Sequence, residues 1–197
     1  MTTRPGADWG EVVTRPAGAV EAWSDADVAN AGAQAAPLVL RAGDLLRTLG
    51  GSSTGDRVVR LSIDLVEVIA DDRRLTAAAH VVVRRRGWFG GFRGPLIAVL
   101  NAEFVGRWDV APRAHPNDGW LDVLEVDRRM PARARWQAWR RLPTGTHVPH
   151  PDIATRRVRD ATFTFDDPLG LWVDDVDHGT VRTLALRIVP DAAEIHV

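Results

Sequence analysis

The hydrophobic pattern of the chain changes its period near residue 57. Before this point, an Ala-rich run after Ser24 predicts a short helix that extends to Ala35, and the apolar run at residues 37–40 predicts a buried strand. After it, apolar and polar residues alternate in most segments, which is the period of half-buried strands. We therefore divide the chain into a short α/β region at residues 1–56 and a β domain at residues 57–197.

The pattern in the β domain predicts roughly eight to ten strands and one substantial helix. The alternating runs at residues 57–70 and 75–86 predict a β-hairpin. Pro131 precedes the one long helical run, in which Trp136 and Trp139 share a face. Many strands with a single long helix predict a mainly β fold, in the form of an antiparallel β-sandwich-like domain.

Composition narrows the chemistry that the chain can perform. The absence of cysteine excludes disulfides, thiolate metal sites and cysteine nucleophiles. All 25 basic residues are arginine, so a Schiff base, a lysine general base and a P-loop lysine are excluded as well. The net charge of −1 does not favour nucleic-acid binding, and we expect no nucleic-acid partner. No apolar run has the length of a signal peptide or a membrane span, so we expect a cytoplasmic protein, with peripheral membrane attachment as an alternative.

The stretch at residues 101–126 holds the most constrained loop of the sequence. Two apolar strands flank a loop that contains Pro112 and Pro116, each of which fixes φ and removes a backbone donor. The turn Asn117–Gly119 follows, and its Asp118 is a candidate ligand for a hard cation such as Mg²⁺ or Ca²⁺. The alternative is an Asx turn in which Asp118 only shapes the loop.

Two further groups of residues are candidates for chemistry. Asp174 opens an acidic turn after an apolar strand and is a candidate general base, although a solvated hairpin turn fits the composition equally well. His147 and His150, with His115 at a distance, form a weak candidate zinc site. Histidines that make ordinary loop hydrogen bonds are the simpler interpretation of these three residues.

A segment at residues 84–94 interleaves arginines with aromatic residues. Its arginines Arg84 and Arg85 and its aromatic residues Trp88, Phe89 and Phe92 suit the headgroup layer of an anionic membrane. The same residues would also suit stacking on single-stranded nucleic acid. The third possibility is a hairpin tip whose aromatic side chains fold back onto the sheet.

Several of these segments together resemble the C-terminal domain of the diacylglycerol kinase / sphingosine kinase family of bacterial lipid kinases. The resemblance covers about residues 57–197 and follows the family's order. The segments that carry it are IDLVEV at 63–68, NAEFVG at 101–106, APRAHPNDGWLDVLEV at 111–126, GTHVPHPDI at 145–153, and the C-terminal VDD and VPDAAEIHV. Each segment alone is weakly specific, and the set is more specific than its parts.

Upstream of residue 57, the resemblance continues in a degenerate form. Residues 37–51 are similar to the family's nucleotide loop, in which Asp44 and Arg47 are retained as residues for binding the nucleotide. The glycine-rich core of that loop is replaced by Val-Leu-Arg-Ala-Gly at residues 39–43, and the family's Gly-Gly-Asp-Gly-Thr motif is absent. We therefore interpret residues 1–56 as a degenerate remnant of a nucleotide-binding region and consider ATP binding doubtful.

The resemblance also implies roles for two carboxylates. Asp174 matches the family's general base, although the Gly and Glu that follow it in the family are Asp175 and Val176 here. Asp118 matches an aspartate that helps to bind a structural Mg²⁺, and this match is intact.

Three hypotheses for function follow from the retained and missing motifs. The first is a lipid-kinase homologue, or pseudokinase, that keeps the lipid-binding β domain but has little or no stand-alone ATP-dependent lipid phosphorylation. The second is an active lipid kinase, either alone or with a partner chain that supplies the nucleotide-binding domain. The third is a non-catalytic interaction module that forms a homodimer. The expected partner under the first two is an amphipathic lipid or a membrane surface.

Overall fold

The computed structural model describes residues 9–31, 36–53 and 55–197. The strands are β1 (Glu11–Thr14), β2 (Val20–Ala22), β3 (Leu38–Leu40), β4 (Arg57–Ala70), β5 (Arg73–Ala77), β6 (His80–Arg84), β7 (Leu96–Leu100), β8 (Phe104–Val105), β9 (Trp108–Asp109), β10 (Leu121–Val126), β11 (Ile153–Val158), β12 (Asp160–Val173) and β13 (Val176–His196). The helices are α1 (Asp25–Ala31), α2 (Asp44–Thr48) and α3 (Ala132–Arg141), with 3₁₀ turns at Gly90–Phe92 and Leu142–Thr144.

The short elements before β4 begin where the sequence places them. The amide of Asp27 donates a hydrogen bond of 3.1 Å to the hydroxyl of Ser24, as expected for a residue that caps α1. The last residues of the predicted Ala-rich helix, 32–35, lie outside the described residues. Helix α2 begins at Asp44, but its first two amides donate to the carboxylate of Asp25.

Eleven of the strands form one sheet, whose order is β1-β4-β13-β12-β6-β7-β10-β11, with β5 beside β4 and β3 and β2 at the end of β13. Among the strands of the described residues, the pairs β2–β3 and β3–β13 are parallel and the others are antiparallel. The sheet bends over its largest buried cluster, because Val66 of β4 and Val123 of β10 both belong to this cluster although they lie five strand positions apart. The prediction of a mainly β, sandwich-like fold with one substantial helix is confirmed.

The segments on either side of residue 57 share this sheet. Strand β1 pairs with β4, and Leu38 of β3 pairs with Ile195 of β13. Leu40 and Leu45 pack in the same buried cluster as Ile63. The boundary at residue 57 stays a prediction, while the described part of residues 1–56 contributes to the fold of the β domain.

The predicted hairpin forms only in part. Strands β4 and β5 pair across a tight turn as predicted. The chain then leaves this pairing at Ala78 and Ala79, and β6 pairs with β7 and β12. The reason is that the amides of Ala78, Ala79 and His80 donate to the carboxylate of Asp174, so the chain is redirected between β5 and β6.

The strands β6, β7 and β10 have two differently occupied faces. Val81 and Val83 of β6 point into the sandwich core, whereas Val82, between them, packs in a second cluster with residues of helix α3. Helix α3 therefore covers the outer face of these strands. Among the described residues, no helix is long and apolar enough to cross a membrane.

Candidate functional site

An apolar cavity lies between the outer face of β6, β7 and β10 and helix α3. Its volume is about 310 Å³. Strand residues on its floor include Val82, Ala98 and Leu124, and α3 contributes Ala138 and Trp139. Such a volume falls at the low end of small-ligand pockets and suits one extended apolar chain.

The segment at residues 84–94 forms the rim of this cavity. Trp88 is 92% exposed and Phe89 is 66% exposed. Phe92 instead folds back, because its ring packs edge-on against Trp139 at 6.4 Å and lines the cavity. The interpretation in which aromatic side chains fold back onto the protein therefore applies to Phe92. Trp88 and Phe89 remain exposed, so a contact of these two residues with a membrane is still a prediction.

The two arginines of the rim take different positions. The guanidinium of Arg84 lies 4.1 Å from the ring centroid of Trp172 and also lines the cavity. Arg85 is exposed and packs over Gly94, where an added Cβ would meet its side chain at 2.6 Å. A buried residue that the sequence did not single out, Arg135 of α3, donates to the carbonyls of Gly91 and Gly94. This arginine fixes the rim to the helix that closes the cavity.

An acidic cluster lies at the other end of the same face of β6. His80, two residues before Val82, is 1% exposed. Its Nδ1 lies 3.6 Å from Oδ2 of Asp44, and its Nε2 lies 3.4 Å from Oδ1 of Asp175. Burial lowers the pKa of His80, but the hydrogen bond to Asp175 and the charges of Asp174, Asp175 and Asp44 outweigh this effect, so the pKa is raised above its usual value.

Asp174, the predicted general base, is buried beside this cluster. One carboxylate oxygen accepts the amide of Ala78 at 2.7 Å, and the other accepts the amides of Ala79 and His80 at 2.9 Å each. Burial raises the pKa of Asp174, while the backbone amides and His80 oppose the shift. The geometry gives Asp174 a structural task, and the carboxylate exposed to solvent belongs to Asp175. The role of Asp174 as a general base stays a prediction.

Asp118, the predicted metal ligand, already has a cationic partner. Its Oδ1 accepts the amide of Trp120 at 3.0 Å, which is the Asx turn of the local interpretation, and its Oδ2 accepts from Arg157. The same guanidinium lies 3.4 Å from Asp122. The guanidinium of Arg157 already binds the carboxylate oxygen that Mg²⁺ would need. The arrangement therefore does not fit the ion, and no reaction step is assigned to Mg²⁺ at Asp118. The metal role of Asp118 stays an untested prediction.

A buried aspartate holds the Asp118 loop in place. Asp64 of β4 is fully buried, and its carboxylate accepts the amide of Gly119 at 2.7 Å and that of Asp191 at 2.9 Å. Burial raises the pKa of Asp64, with the two backbone hydrogen bonds opposing the shift. The amide side chain of Asn101 donates to the carbonyls of Asp64 and Ala78, each at 2.8 Å. Buried hydrogen bonds from Asp64 and Asn101 therefore hold the shape of this loop.

The two residues predicted to bind a nucleotide both hold the turn between β8 and β9. Oδ2 of Asp44 accepts the amide of Gly106 at 2.8 Å, and Arg47 donates to the carbonyl of Gly106 at 2.9 Å. The guanidinium of Arg47 also lies 4.5 Å from the ring centroid of Phe104. Their role toward a nucleotide is untested, and their contacts in the structure are internal.

The three loop histidines are separate from any convergent group of ligands among the described residues. His115 packs against Trp9, with ring centroids 4.6 Å apart. His147 is 2% exposed and lines the cavity, where burial lowers its pKa against the opposing effect of the Val110 carbonyl. His150 accepts the amide of Asp152 at 3.1 Å. His115, His147 and His150 thus make separate local contacts and do not form a shared zinc site among the described residues.

Comparison with known proteins identifies the fold that carries these sites. Residues 65–197 match the model of the YegS C-terminal NAD kinase beta sandwich-like domain, which is more than half of the chain. The chain belongs to this family. It carries the C-terminal domain of the diacylglycerol kinase / lipid kinase family, so the resemblance seen in the sequence is confirmed.

Solved structures of similar fold support the same assignment. A candidate diacylglycerol kinase from Bacillus anthracis str. Sterne is 9% identical, with a TM-score of 0.67, over 90% of this chain and 77% of that one. A second candidate diacylglycerol kinase from the same organism is 12% identical, with a TM-score of 0.64, over 90% and 76%. A diacylglycerol kinase of this organism is 11% identical, with a TM-score of 0.59, over 90% and 75%. A comparison with curated proteins gives no match. At these identities the likeness concerns the fold alone.

Proposed function

We propose that the chain is a lipid-binding member of the family that has little or no ATP-dependent lipid phosphorylation on its own. The observation that carries the proposal is the apolar cavity beneath α3, whose floor consists of Val82, Ala98 and Leu124. One solved structure of similar fold is a diacylglycerol kinase, and a diacylglycerol-type lipid is therefore the first ligand to test.

The lining of the cavity supports a lipid with one acyl chain inside. The floor and walls are aliphatic and aromatic, and burial of each methylene of a ligand there contributes about 0.8 kcal/mol. The charged or titratable side chains among the lining residues are few: Arg84, Arg135 and His147. A site with many apolar contacts and a few polar ones suits an amphipathic ligand whose polar end lies at the rim.

The exposed aromatic tip supports uptake of the lipid from a membrane surface. Trp88 both lines the cavity and is almost fully exposed, so it links the cavity to the surface of the protein. Aromatic rings prefer the interface between headgroups and acyl chains. The neighbouring Arg85 is exposed and suits anionic headgroups.

The contacts of α2 support the loss of nucleotide binding. Phosphoryl transfer needs a cradle of backbone amides and cations around the triphosphate. At the start of α2, the amides of Asp44 and Leu45 already donate to the carboxylate of Asp25 at 2.7 Å and 3.0 Å. The carboxyl group of Asp25 therefore uses the donors that a phosphate would need.

Binding of dioctanoylglycerol to the full chain, measured by native mass spectrometry, tests the lipid half of the proposal. We expect one lipid per chain, and we expect Ala138→Trp to reduce the affinity at least about tenfold because the indole fills the cavity. Ala132→Trp, on the exposed part of the same helix, is the matched control and should leave the affinity unchanged. Equal binding by both variants, or none by the wild type, would reject a lipid in this cavity.

Transfer of radiolabelled phosphate from Mg²⁺-ATP to diacylglycerol tests the kinase half separately. We expect the chain alone to give no transfer above a protein-free reaction. Turnover that Asp174→Asn abolishes would contradict the proposal on activity while leaving lipid binding intact.

A further inference from the structure

We propose that Asp44, His80 and Asp175 form a binding site for a divalent transition-metal cation of the Zn²⁺ or Mn²⁺ type. The proposal goes beyond lipid binding and does not depend on it. It concerns a different group of side chains from Asp118, whose carboxylate is paired with Arg157.

The three side chains lie close together. One possible ligand atom from each lies within 4.8 Å of the other two. Within the described residues, this is the one group of three or more such side chains that meets this condition. Asp44 and His80 are buried, and the side chain of Asp175 is 75% exposed. A solvent-facing carboxylate leaves an entry path for an ion.

The imidazole of His80 provides the independent sign of a missing ligand. Its ring is 99% buried, and its Nδ1 has no hydrogen-bond partner. Nδ1 faces Oδ2 of Asp44 at 3.6 Å, which is too long for a hydrogen bond. Buried polar groups in folded proteins nearly always have a partner, and an unpartnered nitrogen therefore calls for one. A cation between Nδ1 and Oδ2 of Asp44 would give this nitrogen the partner that it lacks.

The separation of these two atoms suits a shared ion. Zinc bonds to nitrogen and oxygen of about 2.0–2.2 Å place two ligands of a tetrahedral site roughly 3.3–3.6 Å apart. His80 and Asp44 already have this spacing. Asp175 contacts Nε2 on the other side of the ring, and its exposed side chain must turn toward the Nδ1 side to become the third ligand. Water would complete the coordination, as in sites with three protein ligands.

The neighbouring residues hold the two buried ligands in place. Oδ2 of Asp44 also accepts the amide of Gly106, and the start of α2 is fixed by the carboxylate of Asp25. The backbone of His80 is fixed from both directions, because its amide donates to Asp174 and its carbonyl accepts the amide of Asp174. Hydrogen bonds behind the ligands orient them and are typical of metal sites.

The ligand types select the kind of ion. An imidazole with two carboxylates favours Zn²⁺ and Mn²⁺, whereas Mg²⁺ prefers oxygen ligands alone and keeps its water. Affinities of nitrogen- and oxygen-containing sites rise from Mn²⁺ to Zn²⁺. We therefore expect Zn²⁺ to bind more tightly than Mn²⁺ and Mg²⁺ to compete poorly.

Isothermal titration of the metal-free full chain with Zn²⁺ tests the site. We expect one ion per chain and at least about a tenfold loss of affinity in Asp175→Asn. This variant keeps an exposed side chain in place, so loss of folding is not expected. His178→Gln, on the same hairpin, is the matched control and should bind as the wild type does. Absence of binding, or equal binding in the wild type and Asp175→Asn, would overturn the proposal.

Paramagnetic broadening by Mn²⁺ identifies the ligand without any substitution. The ring signals of His80 should broaden at lower Mn²⁺ concentration than those of the other five histidines. Broadening that begins at His147, His150 or His178 would place the ion elsewhere and would overturn the assignment.

Discussion

The two ends of one sheet face differ in what they offer a ligand. Both ends include outward residues of β6: Val82 on the floor of the apolar cavity, and His80 in the acidic cluster. Helix α3 closes the apolar end with aliphatic and aromatic side chains. Helix α2 and the turn between β12 and β13 close the acidic end with the carboxylates of Asp44 and Asp175. Strand alternation fixes the face, while the element that covers each end determines its chemistry.

The turn between β8 and β9 joins the two ends. Val105 and Trp108 of this turn line the cavity, and the amide of Gly106, between them, donates to Asp44 of the acidic cluster. Arg47 holds the same turn from the side of α2. The two ends therefore share this turn, and variants that act on one end alone are the most informative.

The largest expected change in the free energy of unfolding concerns Asp174, and it distinguishes this residue from the adjacent Asp175. Asp174→Ala leaves three buried backbone amides without an acceptor, and we expect a loss of about 4 kcal/mol in the free energy of unfolding. Asp175→Asn keeps a residue that tolerates the positive φ of 64° at this position, and the loss of the exposed charge should cost less than about 1 kcal/mol. Urea denaturation of both variants measures the difference. Equal losses would contradict the division of roles between these two residues.

The next effect concerns pH at the acidic end. Burial, opposed by the amides of Asp44 and Leu45, raises the pKa of Asp25 to about 7 from a usual value of 3.8. The unfolded chain releases this proton near pH 4 and the folded chain near pH 7, so the contribution of Asp25 is largest below pH 4 and declines as pH rises to 7.

The decline amounts to roughly 3 kcal/mol over this range. Asp25→Asn cannot titrate, so the free energy of unfolding of the wild type should fall relative to this variant between pH 4 and 7. Ala138→Trp, at the apolar end, should show the same pH slope as the wild type. Parallel curves for the wild type and Asp25→Asn would show that the side chain titrates normally.

A smaller effect contrasts the acidic cluster with the Asp118 loop. At a Zn²⁺ concentration 100 times the dissociation constant, binding stabilises the fold by about 2.7 kcal/mol. Thermal unfolding should therefore show a higher Tm with Zn²⁺, reversed by EDTA. Asp175→Asn should lose most of this shift and Asp118→Asn should keep it, because Asp118 is paired with Arg157. A shift that depends on Asp118 instead would reverse the assignment of the two sites.

The smallest effect on stability is expected at the rim of the cavity. Trp88→Ala changes a side chain that is 92% exposed, and the free energy of unfolding should change by less than about 0.5 kcal/mol. Binding to vesicles of anionic phospholipid, measured by sedimentation, should weaken several-fold, while binding of soluble dioctanoylglycerol should change little. Equal vesicle binding by this variant and the wild type would show that Trp88 does not contribute to membrane binding.

The apolar end follows from patterns that the sequence contains locally. The continuous apolar runs in β6 and β7 are typical of strands that are covered on both faces, and the run after Pro131 predicts the one substantial helix. The motifs around Asn101 and Asp118 carry the resemblance to the family whose model matches residues 65–197. Periodicity and short motifs involve residues that are close in sequence, so they can be recognised without knowledge of the tertiary structure.

The acidic end depends on contacts between distant parts of the chain. Asp174 binds amides 94 to 96 residues away, and this contact redirects the chain at Ala78 and places His80. No local pattern marks His80, Asp25 or Asp175 as partners. The importance of Asp64 could have been predicted from the sequence. It is a carboxylate within the apolar strand β4, and a buried charge requires hydrogen-bond partners.

The central claim is that a lipid chain occupies the outer face of β6, β7 and β10. Methyl NMR of the full chain during titration with dioctanoylglycerol tests it with an internal control. Val82, Ala98 and Leu124 line the cavity, and Val99 and Val123 lie on the opposite face of the same strands. We predict shifts in the first three methyl groups and much smaller ones in the other two. No saturable shift at Val82, Ala98 and Leu124, or equal shifts on both faces, would contradict the account.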